Sequence, residues 1–291
     1  MASQTGSNMN DVSIACVIVH HRNFPAVLDT VADSIRASIP PEHIVLVDNS
    51  ESETFTLQLA GSLPEGVTLI STPNRGYGAA ANIGIDWALR LPSIPAAILV
   101  SSHESRFSAT TVSTLLETMR GDPSIGVVGP VFVLPGDPPR VWSTGGSITR
   151  FSRRPFHKTQ PLLMDTECDW VDGAFSLYRR EAISAERFDE FFFMYYEESD
   201  LQLRIRARGW KVTTAFAATV EQSTGGAPPY YVGRNAYRFA VRHGSRLRAY
   251  THLAREGSRI AVRGYYPIGR LQAVRAFVKG VRDGHRLQHR A

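Results

Sequence analysis

Three carboxylates stand together at Glu197, Glu198 and Asp200, directly after the run Phe191-Phe192-Phe193-Met194-Tyr195-Tyr196. Acids set beneath an apolar wall lose hydration, which favours their neutral form and raises their pKa, and a carboxylate poised near neutral pH can serve as a general base. The same acids also suit a helix N-terminus, whose partial positive charge attracts them. From this stretch alone the two readings, a base and a helix start, are evenly matched.

Positioning such acids requires a scaffold, and the first half of the chain supplies an alternating one. Val12 to Val19 is a nearly unbroken apolar run, the pattern of a strand buried on both faces of a parallel sheet, and it ends at His20-His21-Arg22. Leu28, Val31, Ala32 and Ile35 follow at helical spacing, Pro40-Pro41 breaks that helix, and Ile44 to Val47 form a second strand ending at Asp48-Asn49-Ser50. Further strands are expected at 67–70, 96–100 and 125–128, with a helix through Val112, Leu115, Leu116 and Met119. Four strand-then-helix steps predict an α/β fold with a twisted, mostly parallel sheet flanked by helices. In such sheets ligands bind beyond the carboxyl ends of the strands, which places His20, Arg22 and Asp48 where a nucleotide would lie. Asp48 could accept from a base N–H or a ribose hydroxyl, although an isolated turn aspartate is uninformative.

After the third strand comes Pro73-Asn74-Arg75-Gly76-Tyr77-Gly78, leading to Asn82-Ile83-Gly84. Gly76 and Gly78 permit close approach of the main chain to a ligand, and a helix beginning near Ala79 would aim its N–H groups at it. The spacing is neither that of a Walker loop nor that of a dinucleotide fingerprint. The second half is less regular. Residues 134–168 read as a long Pro-, Gly- and Arg-rich loop, 224–229 as a flexible Gly/Pro segment, and 230–250 as a basic, aromatic helical region.

The totals narrow the classes. A chain of 291 residues buries a full core without covalent staples, and its two cysteines, Cys16 and Cys168, suit a reducing compartment rather than a cysteine metal site. Residues 1–11 read as a polar, disordered lead-in rather than a signal peptide, and no apolar run approaches the roughly 20 residues of a membrane span, so a cytoplasmic protein is expected. Charge is uneven. Of the overall +5, the segment from Arg246 onward contributes eleven Lys or Arg against only Glu256 and Asp283, leaving the rest net acidic. Such a basic extension fits a solvated helix face, anionic lipid head groups, a phosphate-bearing partner or nucleic acid. Its apolar residues, Ile260, Val262, Tyr265, Tyr266, Leu271, Val274, Phe277 and Val278, suit peripheral docking at the inner membrane surface or a homodimer contact. Nothing in the body resembles a nucleic-acid recognition motif, so no nucleic-acid partner is expected.

Taken in order, these pieces resemble the family 2 inverting glycosyltransferases of the GT-A fold, in particular their rhamnosyltransferase-like bacterial branch. The resemblance runs from about Ala15 to Gly244. It is carried by 17–22, Val47-Asp48-Asn49-Ser50, Asn74-Arg75-Gly76 with Asn82-Ile83-Gly84, Trp170-Val171-Asp172-Gly173-Ala174, Arg179-Arg180-Glu181, Glu197-Glu198-Ser199-Asp200-Leu201 with Arg204 and Gly209-Trp210, and Arg234-Asn235. It implies one GT-A domain at 12–244, with a Rossmann-like nucleotide-sugar half (12–130) and an acceptor half (131–244), followed by a basic helical extension at 245–291. It further implies a dTDP- or UDP-sugar donor held by His20, Arg22, Asp48, Asn74, Arg75, Gly76, Asn82, His103 and Glu104. Glu198 would be the base that deprotonates a hydroxyl acceptor. Trp170, Asp172, Gly173, Glu197 and Asp200 would border acceptor or sugar, and Arg204 would pair with a nearby acid.

Two departures concern the metal. Where the family has an Asp-x-Asp type motif for Mg²⁺ or Mn²⁺, this chain reads Ser102-His103-Glu104-Ser105, and a late family histidine aligns with Gln222. Glu104 is then the remaining candidate ligand, and Arg22, Arg75, His103 or Arg106 could balance the leaving diphosphate instead. The altered motif also keeps open a second reading, a catalytically degenerate member that binds a nucleotide sugar or a partner.

Overall fold

The computed structural model describes residues 13–223, 226–265 and 268–288, so the expectations placed on 1–11, Thr224 and Tyr266 lie outside it. The first half alternates strands and helices as expected, and between the second and third strands it adds a helix that no sequence pattern marked: β1 (Ile14–His20), α1 (Phe24–Arg36), β2 (Ile44–Asp48), α2 (Glu53–Ala60), β3 (Thr68–Ser71), α3 (Tyr77–Ala88) and β4 (Ala97–Ser102). The short β5 (Arg106–Phe107), α4 (Thr111–Gly121) and the long β6 (Ile125–Leu134) follow.

Successive side chains of a strand point to opposite faces, and β1 shows why its run is apolar throughout. Cys16 and Ile18 join one core cluster with Val27 and Val31 of α1 and Leu115 of α4. Ala15, Val17 and Val19 join the other with Ala80, Ala81 and Ile85 of α3. The sheet is therefore covered by helices on both faces.

Residues 134–168, expected to be a loop, instead carry β7 (Arg140–Ser143), β8 (Gly146–Ile148), β9 (Pro155–His157) and β10 (Thr166–Cys168). Strands of three or four residues are too short to show a period. Then come β11 (Phe175–Arg179), α5 (Arg180–Ser184), α6 (Glu197–Ala207) and β12 (Lys211–Glu221). The basic helical region is divided at His243–Ser245 into α7 (Pro229–Arg242) and α8 (Arg246–Arg263), and α9 (Gly269–Gln288) follows.

The large sheet runs β10-β12-β6-β11-β4-β1-β2-β3. The β4-β1-β2-β3 half is parallel, whereas β11 lies antiparallel between β4 and β6. That insertion aligns the carboxyl ends of β1, β2, β3 and β4 with the chain entering β11, which is the segment Trp170 to Ala174. Among the described residues no helix is long and apolar enough to cross a membrane.

Candidate active site

The segment before α6 is held in unusual backbone conformations. Phe193, Tyr195 and Tyr196 have φ values of 57°, 68° and 76°, which non-glycine residues adopt at a cost of about 1–3 kcal/mol each and keep only where the surroundings enforce them. Here the enforcement is visible. The Asn235 amide of α7 donates to the carbonyl oxygens of Phe192 (2.9 Å), Met194 (2.8 Å) and Tyr195 (2.9 Å). The Tyr196 hydroxyl bonds His252 Nε2 at 3.0 Å, and Phe192 is fully buried. On the opposite side the Tyr77 N–H donates to the Phe193 carbonyl at 2.8 Å. Gly76 has φ 98°, and a Cβ there would stand 2.0 Å from Phe193 O, so only glycine admits this approach. The β3–α3 turn and the start of α6 are thereby stitched together.

Each of the three acids occupies a different environment. Glu198 is partly buried and packs on Gly173; burial raises its carboxyl and the charge of Asp172 adds to this, to about 7. Glu197 is 5% exposed and its Oε2 has no hydrogen-bond partner. Burial, then the neighbouring Glu198, push it well above the ordinary carboxylate range. Asp200 is fully buried and touches Arg204 Nε (2.9 Å), Arg242 Nη1 (2.9 Å) and His243 Nε2 (2.8 Å). Burial alone would raise it, but His243, Arg204 and Arg242 hold it below its usual value. The acceptor contact expected of Asp200 is accordingly replaced by a clamp between α6 and α7. Arg204 pairs with Asp200 and Glu186, the acid partnership expected of it.

Beside Glu198 lies a cluster that the sequence did not reveal. Asp172 Oδ2 accepts from Ser143 Oγ at 2.5 Å, and Asp172 Oδ1 lies 3.4 Å from His157 Nδ1. The His157 ring sits between Trp142 and Trp170, with centroids 4.7 and 4.8 Å away. Burial disfavours the charged imidazole, but Asp172 and Glu198 outweigh it and raise the pKa of His157. His157 comes from β9, inside the stretch read as a loop, and a lone histidine there carries no spacing signal. Trp170, expected at the acceptor, is 3% exposed, and its indole packs so tightly on Gly146 that a Cβ there would lie 2.0 Å from Cε2. It supports His157 from below instead of facing the cleft. Asp172 and Gly173 do lie beside Glu198, and the Tyr77 hydroxyl donates to Gly173 O at 2.7 Å.

At the carboxyl edge of the parallel strands the expected donor residues divide into two groups. His20 and Asp48 are fully buried. His20 Nδ1 contacts Asp48 Oδ1 at 2.9 Å, which also accepts from the Ser50 N–H at 3.0 Å, while Oδ2 accepts from Thr56 at 3.0 Å. Burial raises the Asp48 carboxyl, but these hydrogen bonds bring it down to about 2. Both side chains brace the turn instead of projecting from it. Asn82 likewise is committed to Phe188, giving and receiving hydrogen bonds of 3.0 Å with its backbone. Arg22 and Asn74 remain on the edge. Arg22 Nε donates to Ser50 O at 3.1 Å, and Asn74 Oδ1 accepts from Gly76 N at 3.1 Å and Asn49 Nδ2 at 3.4 Å. Arg75 pairs with Glu190, and Arg106 with Asp29 and Asp33.

Two hollows open along this edge. One of about 440 Å³ borders Glu51, Ser52, Thr56, Ser71, Thr72 and Pro73 at the ends of β2 and β3. The other, about 890 Å³, includes Asn23, Glu104, Val133 and Glu221 near the ends of β4, β6 and β12. A hollow of about 570 Å³ beside Asp122 and Lys211 lies at the other ends of β6 and β12, and those two side chains bond each other at 2.8 Å.

At the β4 turn, Glu104 Oε1 accepts from Asn23 Nδ2 at 2.9 Å and lies 3.5 Å from His103 Nε2. His103 and Asn23 lower the Glu104 pKa against a smaller effect of burial. Gln222 donates to Ser102 Oγ at 3.2 Å. Among the described residues no group of three His, Cys, Asp or Glu side chains could hold a metal ion. Hard divalent cations take oxygen-rich shells built on carboxylates, so this donor set does not fit a tightly held Mg²⁺ or Mn²⁺.

Solved structures with a related arrangement exist. The crystal structure of GalNAc-T7 with UDP, GalNAc and Mn²⁺ is similar at TM-score 0.59 and 16% identity, over 90% of this chain and 59% of that one. The mannosyltransferase PcManGT from Pyrobaculum calidifontis, in complex with GDP-Man and Mn²⁺, is similar at TM-score 0.52 and 13% identity, over 94% of this chain and 84% of that one. The chain thus spans about three fifths of GalNAc-T7, and at these identities the likeness shows a shared GT-A-like fold. No curated protein sequence matches the chain. The profile described as glycosyltransferase like family 2 matches residues 12–245, most of the chain, and the protein therefore belongs to that family.

Proposed function

We propose that this protein is an inverting glycosyltransferase that moves a sugar from a dTDP- or UDP-linked donor to a hydroxyl acceptor. The observation that carries the reading is Glu198: a carboxylate at the start of α6, with its pKa raised to about 7, beside the Asp172–His157 cluster. A base with that pKa is substantially ionised at neutral pH and still basic enough to accept a proton. The acceptor hydroxyl gives its proton to Glu198 as its oxygen bonds to the anomeric carbon. The bond from that carbon to the diphosphate oxygen breaks on the opposite face, its electron pair leaves with the nucleoside diphosphate, and configuration inverts.

The nucleoside lies on the edge formed by the ends of β1, β2 and β3, with Arg22, Asn74 and the backbone at Gly76 bordering it. His20 and Asp48 act by fixing that turn. Because the residues at Ser102 to Ser105 do not form a metal cage, no step is assigned to a metal, and Arg22, at the end of β1, is the cation that balances the leaving diphosphate. Asp172 and His157 orient the acceptor and set the charge around Glu198. The rhamnosyltransferase-like resemblance favours a deoxyhexose as the transferred sugar.

The test is Glu198→Gln, assayed against a panel of nucleotide sugars and hydroxyl acceptors. Loss of a general base lowers kcat by about 10²–10⁴-fold, with stabilisation by nucleoside diphosphate retained. Full turnover in a folded Glu198→Gln protein would reject the assignment. The altered β4 turn favours one competing reading, a family member that binds a nucleotide sugar without transferring it. Ligand-induced stabilisation of the wild-type protein with no turnover across the panel would select that reading.

A further inference from the structure

Helix α9 is pressed against α7 through small residues. A Cβ at Gly280 would fall 2.0 Å from Tyr230 O, and one at Gly284 would fall 2.1 Å from Arg234 O. Ala273 and Phe277 are buried on the same side. This contact fixes which face of α9 points away from the protein. That outer face carries Leu271, Arg275, Val278, Arg282 and Arg286, spaced four, three, four and four residues apart and all exposed. On α8 the exposed side chains include Leu247 (69%), Tyr250 (59%) and Val262 (70%), between Arg248, Arg255 and Arg263.

The acids of the extension are turned inward. Glu256 is 3% exposed and paired with Arg259 at 2.7 Å and Arg154 at 3.5 Å, and Asp283 accepts from the Tyr230 hydroxyl at 3.1 Å. Among the described residues, then, the outer faces of α8 and α9 combine cations with bare aliphatic and aromatic side chains and carry no exposed carboxylate. We infer that this surface docks on a bilayer containing anionic phospholipid, with head-group phosphates meeting the arginines and the apolar side chains entering the head-group boundary.

Two other occupants fit less well. A second copy would set one cationic surface against another, and like charges repel. Nucleic acid would engage the arginines through phosphate but leave Leu271, Val278 and Val262 without a partner. The exposed side chains of this surface include none of the residues placed in the catalytic site, so the inference does not depend on the catalytic reading.

The experiment is flotation of the full chain with vesicles of phosphatidylcholine alone or mixed with phosphatidylglycerol. Flotation is expected only with the mixed vesicles, weakening as salt rises. Each basic residue near an anionic surface contributes about fivefold in affinity, so Arg275→Gln/Arg282→Gln should reduce mixed-vesicle binding about 30-fold. Leu271→Ser/Val278→Ser should remove the part that survives salt. Arg255→Gln/Arg263→Gln repeats the charge test on α8, so a folding defect in one helix does not decide the outcome. The inference is overturned by equal flotation with both vesicle types, by both charge variants floating like wild type, by RNA binding without vesicle binding, or by a dimer that the charge variants dissociate.

Discussion

Gly173→Ala probes how closely the proposed base is placed. A Cβ on residue 173 would lie 2.7 Å from Glu198 Cβ and 3.2 Å from its Cγ, and the peptide is anchored by the 2.7 Å hydrogen bond from Tyr77 to Gly173 O. Carbon atoms pack best at about 3.5–4.0 Å, so the Glu198 side chain must retreat by roughly 1 Å. A displacement of that size at a reacting group costs about 10²-fold in rate. Overpacking of this kind costs about 1–3 kcal/mol in stability, so the variant should still fold. The assay is steady-state transfer with the donor and acceptor found in the panel, alongside circular dichroism and stabilisation by nucleoside diphosphate. The expected result is a large fall in kcat with nucleotide binding kept. A folded Gly173→Ala protein with wild-type kcat would refute the placement of Glu198 against Gly173 as the reacting geometry.

Further outcomes follow from the charges around α6. Protonated His157 lowers the Glu198 pKa, so His157→Asn should move the rising limb of the pH–kcat/KM profile, near 7 in the wild type, to higher pH; an unmoved limb would remove His157 from the site. Glu197 is raised in the folded protein, so the folded state holds its proton while the unfolded chain releases it. Its burden on stability is absent below the ordinary carboxylate pKa and grows as pH rises towards the folded value. Glu197→Gln should therefore leave Tm unchanged at acid pH and raise it increasingly towards pH 8, and a pH-independent difference would contradict this. Chelator should leave stabilisation by nucleoside diphosphate unchanged, because the turn at Ser102 to Ser105 offers a single carboxylate; a loss of the shift on chelation, restored by Mn²⁺, would show that Glu104 and the diphosphate share a metal.

The strands β1 to β4 and the helices α1 and α4 were legible because buried parallel strands and amphipathic helices have different periods and these runs were long enough to show them, whereas α2, which buries only Leu59, showed none. The acid cluster was legible too, as composition: three carboxylates after six apolar or aromatic residues admit few environments. Which acid does what was not legible. Glu197, Glu198 and Asp200 differ by one to three positions in sequence, yet one is desolvated with an unpartnered oxygen, one lies against Gly173 and Asp172, and one is enclosed by Arg204, Arg242 and His243. Their partners come from α7 and from the chain entering β11, tens of residues away, and no local pattern encodes such pairings. His157 was hidden for the same reason, since its neighbours Trp142, Trp170 and Asp172 converge only through short strands and one insertion between β4 and β6. His20, Asp48 and Asn82 show the converse. Their residue types and positions suggested ligand contacts, but burial turned them into braces for the turns that face the cleft. The sequence by itself determined the layered α/β scaffold and the concentration of acids at its edge, because hydrophobic period and composition are local properties. Only the tertiary structure decided the protonation, pairing and orientation of those acids, because each depends on desolvation and on charges brought from distant parts of the chain.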